Sequence, residues 1–213
     1  MDQASLKSET AQRGNRYYVL RHGEAEHNVL GIVYGKNDDN YALTPAGEEQ
    51  VRSVVKKLPR ITKIYASPIR RARESAEIAG DVLGISRDSI QYDKRLRELN
   101  FGEFQGKNIG EFIAYRNEHV HMLSDAFPGG ESYLDAKRRF GSWLYETDKT
   151  LSNESVLVVT HGIGIESLVA VAQGMTNAEA LVYIRDHRFE YAHLTDFTFT
   201  PQQVNADFER VHA

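Results

Sequence analysis

Residues 155–160 read SVLVVT and run without a break into His161-Gly162. Four consecutive positions, 156–159, are apolar. A strand without polar alternation must be covered on both faces, as in a parallel sheet held between two helical layers. The rest of the chain supplies such layers. Residues 16–20 (RYYVL) and 63–66 (KIYA) are short β-branched and aromatic runs, and 90–92 offers a third, shorter one. Between them lie one-sided helical patterns. Thr44-Pro45 opens one carrying Val51, Val54, Val55 and Leu58, stopped by Pro59. Ser67-Pro68 opens a second, with Ile69, Ala72, Ala76, Ala79 and Leu83 before Gly84. Residues 93–107 read as loop and 109–123 as weakly patterned helix. Ser132 caps a long helix bearing Ala136, Phe140, Trp143, Leu144, Thr147 and Leu151. A helix over 162–173 and a late strand over 189–200 complete the series. The expectation is an α/β fold, a three-layer α/β/α arrangement around a mainly parallel sheet.

Length and charge narrow the function. At 213 residues the chain suits a polar N-terminal tail at 1–15, expected to be flexible, and one domain over 16–213. A domain of that size buries about 70% of its extended-chain surface. Lys and Arg number 26 against 30 Asp and Glu, a balance of −4, which argues against bulk binding to nucleic acid or an anionic membrane. A site for an anion must therefore build its positive field locally. Cysteine is absent, which excludes disulfides, a thiolate nucleophile and Cys-ligated metal. No stretch approaches roughly 18 apolar residues, and 1–15 has no apolar core of a signal peptide, so a cytoplasmic protein is expected.

Ligands of open α/β sheets bind outside the carboxyl ends of the strands. Three segments stand there. The first strand runs into Arg21-His22-Gly23-Glu24, the second into Ser67-Pro68-Ile69-Arg70-Arg71, and SVLVVT into His161-Gly162. Parallel strands point the same way, so two histidines and at least two arginines are expected in one crevice. Guanidinium groups repel a metal cation and take two phosphate oxygens at once. A neutral imidazole among phosphate-holding donors is a candidate nucleophile at phosphorus, once its other nitrogen has an acceptor that fixes the tautomer. Glycine after each histidine is expected to let backbone come close to the anion.

These residues resemble the motifs of the histidine phosphatase superfamily, the phosphoglycerate mutase-like family. Leu20-Arg21-His22-Gly23-Glu24 with Asn28 is similar to its signature, and Leu43-Thr44-Pro45-Ala46-Gly47 with Gln50 to its helix start. Ser67-Pro68-Ile69-Arg70-Arg71-Ala72 resembles the second arginine motif, and Leu96-Arg97-Glu98 the acidic one. Pro128-Gly129-Gly130-Glu131-Ser132 and Val159-Thr160-His161-Gly162 resemble the last two. The match spans roughly 17–200 in order. Ala25 stands where Thr is frequent, Gln105 where the acidic motif often has Glu, and Glu166 where many members carry a basic residue.

The resemblance implies a phosphoglycerate mutase-like fold and a metal-independent phosphomonoesterase without cofactor, acting on a small phosphorylated metabolite. His22 would attack phosphorus and become phosphohistidine. Arg21, Arg71 and His161 would hold the phosphoryl oxygens, with Asn28 as a further donor. Glu98 would protonate the leaving alcohol, for which its pKa must be raised. Three other readings stay open. A mutase would use the same His22, yet Glu98 and His161 are only 63 positions apart (161 − 98) and Arg116 is the one arginine in 108–136. A non-catalytic phospho-ligand module would keep the pocket without turnover. A zinc hydrolase would take His22, His161 and Glu98 as ligands. His119 and His121 are expected to be solvated helix residues. Tyr34, Phe104, Phe112 and Tyr115 are assigned to the pocket wall or the core. Natural substrate and oligomeric state are left open.

Overall fold

The computed structural model describes residues 14–36 and 40–199. Most of the N-terminal tail and the last position of the expected late strand lie outside these residues. Five strands form one sheet: β1 (Arg16–Arg21), β2 (Lys63–Ala66), β3 (Gln91–Tyr92), β4 (Ser155–Thr160) and β5 (Leu194–Thr198), in the order β3-β2-β4-β1-β5. β1 and β2 both pair in parallel with β4, and β3 pairs in parallel with β2. β5 runs antiparallel along the β1 edge. The three strands whose ends carry the motifs are thus contiguous at the centre of the sheet.

Side-chain alternation assigns the two faces. Tyr18, Leu20, Ile64, Ala66, Leu157 and Val159 pack with Val51 and Val55 of α2 (Pro45–Val55) and Ala72, Ala76 and Ala79 of α3 (Arg70–Leu83). Tyr17, Val19, Tyr65, Val156 and Val158 pack with Phe140, Trp143 and Leu144 of α5 (Tyr133–Asp148) and Ile165 and Leu168 of α6 (Gly162–Ala172). β4 is buried on both faces, which accounts for its unbroken apolar run. A third cluster, including Phe101, Phe104, Phe112 and Phe127, lies under α4 (Ile109–His119) and α7 (Asn177–Asp186) and beside the site.

Several boundaries differ from the sequence reading. α2 stops at Val55, three residues before Leu58, and α4 at His119. α7 falls where no helix was expected, although Thr176 and Glu179 form a reciprocal cap there, a signal present in the sequence. The late strand is confined to β5, and residues 189–191 instead reach the site. A single helical turn, α1 (Glu26–Val29), interrupts the first loop. Asn15 is buried and donates to Asp148 Oδ1 at 2.9 Å, so it packs with the domain.

The glycine after His22 has a different reason from the one expected. A Cβ on Gly23 would stand 2.2 Å from the carbonyl oxygen of Gly47, and one on Gly47 would stand 2.0 Å from that of Glu24. The pair lets the start of α2 press against the end of β1. The space beside Gly23 holds backbone, not ligand.

Candidate active site

The carboxyl ends of β1, β2 and β4 deliver His22, Ser67 and His161 to one place, and the first turn of α3 adds Arg71. The His22 and His161 rings stand 5.1 Å apart. All four side chains are buried. His22 Nδ1 lies 2.7 Å from the Gly23 carbonyl oxygen, and Arg71 Nε donates to His22 Nε2 at 3.0 Å. A guanidinium can only donate, so this network assigns the hydrogen to Nδ1 and the lone pair to Nε2. Burial holds the His22 pKa well below the ordinary imidazole value, and the charges of Arg71 and Arg21 push the same way. The imidazole is neutral at pH 7, with its Nε2 lone pair directed at Arg71 Nε.

His161 is set by Ser67. The Ser67 hydroxyl accepts from Ile69 N–H at 3.2 Å and lies 2.8 Å from His161 Nε2. With Nε2 as acceptor of the Ser67 hydrogen, His161 carries its own on Nδ1, and that buried atom has no partner among the described residues. Ser67 therefore does not cap α3, whose N-cap is Ile69; it orients the second imidazole.

The remaining expected residues border a cavity of about 660 Å³ that includes His22. Arg21 donates through Nη1 to the Phe189 carbonyl and stacks over Tyr191 at 4.5 Å, with Nε unpartnered. Glu98 accepts from Leu99 N–H at 2.8 Å. Burial raises the Glu98 pKa above the ordinary carboxyl value, against the pull of Arg71 and Arg21. Its flanking arginines are occupied elsewhere: Arg95 with Asp93 and Glu146, Arg97 with Glu131. Arg71 and His161 flank His22, through the Nε–Nε2 hydrogen bond and the ring contact given above. Arg71 Nη2 donates to the Tyr34 carbonyl at 2.7 Å.

Asn28 has engagements of its own. Its Oδ1 accepts from Ala25 N–H at 3.0 Å, and its Nδ2 lies 2.9 Å from His27 Nε2. His27 was not singled out in the sequence. It is buried on the cavity wall with its ring 5.9 Å from that of His22. With the Asn28 oxygen committed to Ala25, its amide donates to His27 Nε2, and the His27 hydrogen rests on an unpartnered Nδ1. Burial, then Arg71 and Arg21, lowers the His27 pKa to about 2. Its one sequence signal was its place beside Asn28 in the first motif.

The outer wall is assembled from distant pieces. Ile113 and Arg116 of α4, Tyr133 and Glu166, Arg185 in the last turn of α7, and His187 and Arg188 after it all border the cavity. His187, Arg188 and Glu190 are exposed, so this rim is wet. Tyr34 and Phe112 border the cavity, whereas Phe104 and Tyr115 pack in the aromatic cluster. His119 and His121 are exposed and lie off the cavity. Among the described residues, no group of three or more His, Asp or Glu side chains is placed to hold a metal ion, and no helix is long and apolar enough to cross a membrane.

With this geometry in place, comparison with known proteins is direct. Residues 17–208 match the histidine phosphatase superfamily (branch 1). The "Putative phosphoserine phosphatase 2" of Hydrogenobacter thermophilus is 32% identical over 167 residues, covering 75% of this chain and 79% of the relative. The "Probable phosphoglycerate mutase GpmB" of Erwinia tasmaniensis is 32% identical over 177 residues, covering 79% and 80%. Among solved structures, the phosphoserine phosphatase of Entamoeba histolytica in complex with 3-phosphoglyceric acid aligns with a TM-score of 0.73 at 26% identity, covering 87% of this chain and 91% of its own. The chain belongs to the histidine phosphatase superfamily, branch 1.

Proposed function

We infer that the protein is a phosphomonoesterase that hydrolyses a small phosphorylated metabolite through a phosphohistidine at His22. The observation that carries this reading is the buried, neutral His22, whose Nε2 lone pair faces a guanidinium while Nδ1 is tied to backbone. An imidazole in that state is a ready nucleophile. The solved relative with 3-phosphoglyceric acid and the relatives named for phosphoserine support a small phosphorylated metabolite as substrate.

The steps follow from the donors at hand. Entry of the phosphoryl group draws Arg71 Nε from His22 Nε2 onto a phosphoryl oxygen. Arg21 and His161 Nδ1–H bind other oxygens, and an amide hydrogen of Asn28 adds to them. His22 Nε2 then forms the N–P bond as the P–O bond to the alcohol breaks. The proton of the Glu98 carboxyl passes to the leaving oxygen. In the second half, Glu98 as carboxylate takes a proton from water, whose oxygen attacks phosphorus. The N–P bond breaks, and inorganic phosphate and neutral His22 return. Preorganised cations around the spreading phosphoryl charge lower both barriers.

The wet rim at His187, Arg188 and Glu190 favours hydrolysis over a mutase, which has to keep water from the phosphoenzyme. The test is a phosphomonoester panel without added metal, with substrate labelled at phosphorus and the reaction quenched in denaturant at alkaline pH. Label is expected on His22, and His22→Ala should abolish both label and turnover, a loss of about 10⁴-fold or more. Turnover that persists in His22→Ala refutes the reading. Activity that appears only with a bisphosphorylated primer moves the protein to the mutase class.

A further inference from the structure

Beside the phosphoryl position, several buried polar atoms have no hydrogen-bond partner among the described residues: Arg21 Nε, His27 Nδ1, His161 Nδ1, Tyr133 Oη and Glu166 Oε2. The first three carry hydrogens, as the networks above assign them. A phosphoryl dianion offers only acceptor oxygens, so it suits those three donors. Glu166 keeps an oxygen that accepts in either protonation state, and such a dianion has no hydrogen to give it.

Glu166 is 4% exposed, borders the cavity and forms none of the salt bridges among the described residues. It sits on α6 four positions after Gly162, which also borders the cavity. That spacing keeps the two on one face and raises Glu166 about 6 Å along the helix axis. Its charge interacts with that of Glu98, the proposed acid for the leaving oxygen. Glu98 and Glu166 both border the one cavity, so a substrate whose leaving oxygen meets Glu98 extends along the wall that carries Glu166. Burial, reinforced by Glu98, holds its pKa well above the ordinary carboxyl value. Arg21 and Arg116 already set positive charge against it. A neutral hydroxyl fits there better than an ammonium.

We propose that Glu166 is a specificity-determining residue that accepts a hydrogen bond from a hydroxyl on the alcohol portion of the substrate, a few bonds from phosphorus. The preferred substrate class is then a phosphorylated polyol or sugar-like hydroxy compound. This rests on the phosphoryl position assigned above. A buried acceptor left unpaired by the wrong ligand penalises that ligand, which is how one hydroxyl becomes selective.

Binding separates this inference from the phosphatase reading. Calorimetry on the full chain bearing His22→Ala compares glycerol 3-phosphate, n-propyl phosphate and 3-aminopropyl phosphate. Glycerol 3-phosphate is expected to bind about tenfold tighter than n-propyl phosphate. Adding Glu166→Leu should bring the two affinities close together, whereas Glu166→Gln, whose amide oxygen still accepts, should keep most of the preference. Equal affinities without a change at Glu166, or a preference that survives Glu166→Leu, overturn the proposal. Tightest binding by 3-aminopropyl phosphate overturns the choice of a hydroxyl. If Glu166→Leu does not fold, the contrast between the first two ligands still decides. With the binding contrast present, failure of the parent chain to hydrolyse any phosphomonoester strikes the phosphatase reading alone.

Discussion

The floor of the cavity and its outer wall are built on different principles. The floor comes from strand ends, the first turn of α3 and the loop that carries Glu98. Each of its polar groups is fixed by a near neighbour: His22 by Gly23 and Arg71, His161 by Ser67, Glu98 by Leu99. The wall comes from α4, the segment after α7 and one face of α6, with charged side chains at a wet rim. A sheet held on both faces fixes its strand ends to within small fractions of an ångström, as transfer to phosphorus requires. A rim of exposed polar side chains, His187, Arg188 and Glu190, tolerates variation, as would suit a surface that selects among alcohols. On the proposed reading the floor carries the reaction and the wall selects the substrate.

Four substitutions would break or sharpen this contrast. Glu98→Gln should have the largest effect, lowering kcat on alkyl phosphates by roughly 10²–10⁴-fold, because an alkoxide needs its proton. On p-nitrophenyl phosphate, whose leaving group needs none, the loss should be much smaller; an equal loss on both would refute the acid role. The pH profile carries the same information. In the proposed mechanism Glu98 acts when protonated, and its pKa is raised, so kcat/KM should fall as pH rises through that value. Glu98→Gln should lack that limb.

Arg71→Ala comes next, with about 10²–10³-fold lost in kcat/KM from one preorganised cation. As a floor residue it should cost every phosphomonoester alike. A loss confined to particular alcohols would place Arg71 with the wall. Arg188→Ala tests the rim itself. Here KM should change by less than about tenfold, by an amount that differs between substrates, with kcat kept. A uniform collapse of kcat would erase the distinction between the two regions.

The smallest effect concerns stability. His27 titrates at about 2 in the fold, against the ordinary 6.5 of an unfolded chain. Below about pH 6.5 the unfolded state binds a proton that the folded state refuses. Stability contributed by the neutral ring is thus lost as pH falls, by about 1.4 kcal/mol per pH unit. Urea unfolding at pH 7, 6 and 5 should show a shallower decline in His27→Gln. The same slope in both chains would mean that the ring takes a proton in the fold.

Much of the fold was legible because its signals are local. Local patterns located five of the helices, α2 to α6, and the strands, and Thr44 and Ser132 cap as expected, accepting from Gly47 N–H and Asp135 N–H. The errors fell where tertiary demands override local ones. Ser67, read as a cap, is drawn to His161, and Gly23, read as room for an anion, is room for Gly47. α7 was missed although its capping box was present, because its apolar residues face a cluster built from the 101–127 region and leave a weak period of their own.

Sequence by itself determined the alternation of strand and helix and which residues would end the central strands, since both depend on side chains a few positions apart. Only the tertiary structure decided which nitrogen of His22 carries the hydrogen, that His27 joins the site, and that Glu166 is buried against the cavity with its Oε2 unpartnered among the described residues. Those properties depend on atoms brought near from distant parts of the chain and on the exclusion of water around them. No window of sequence contains either.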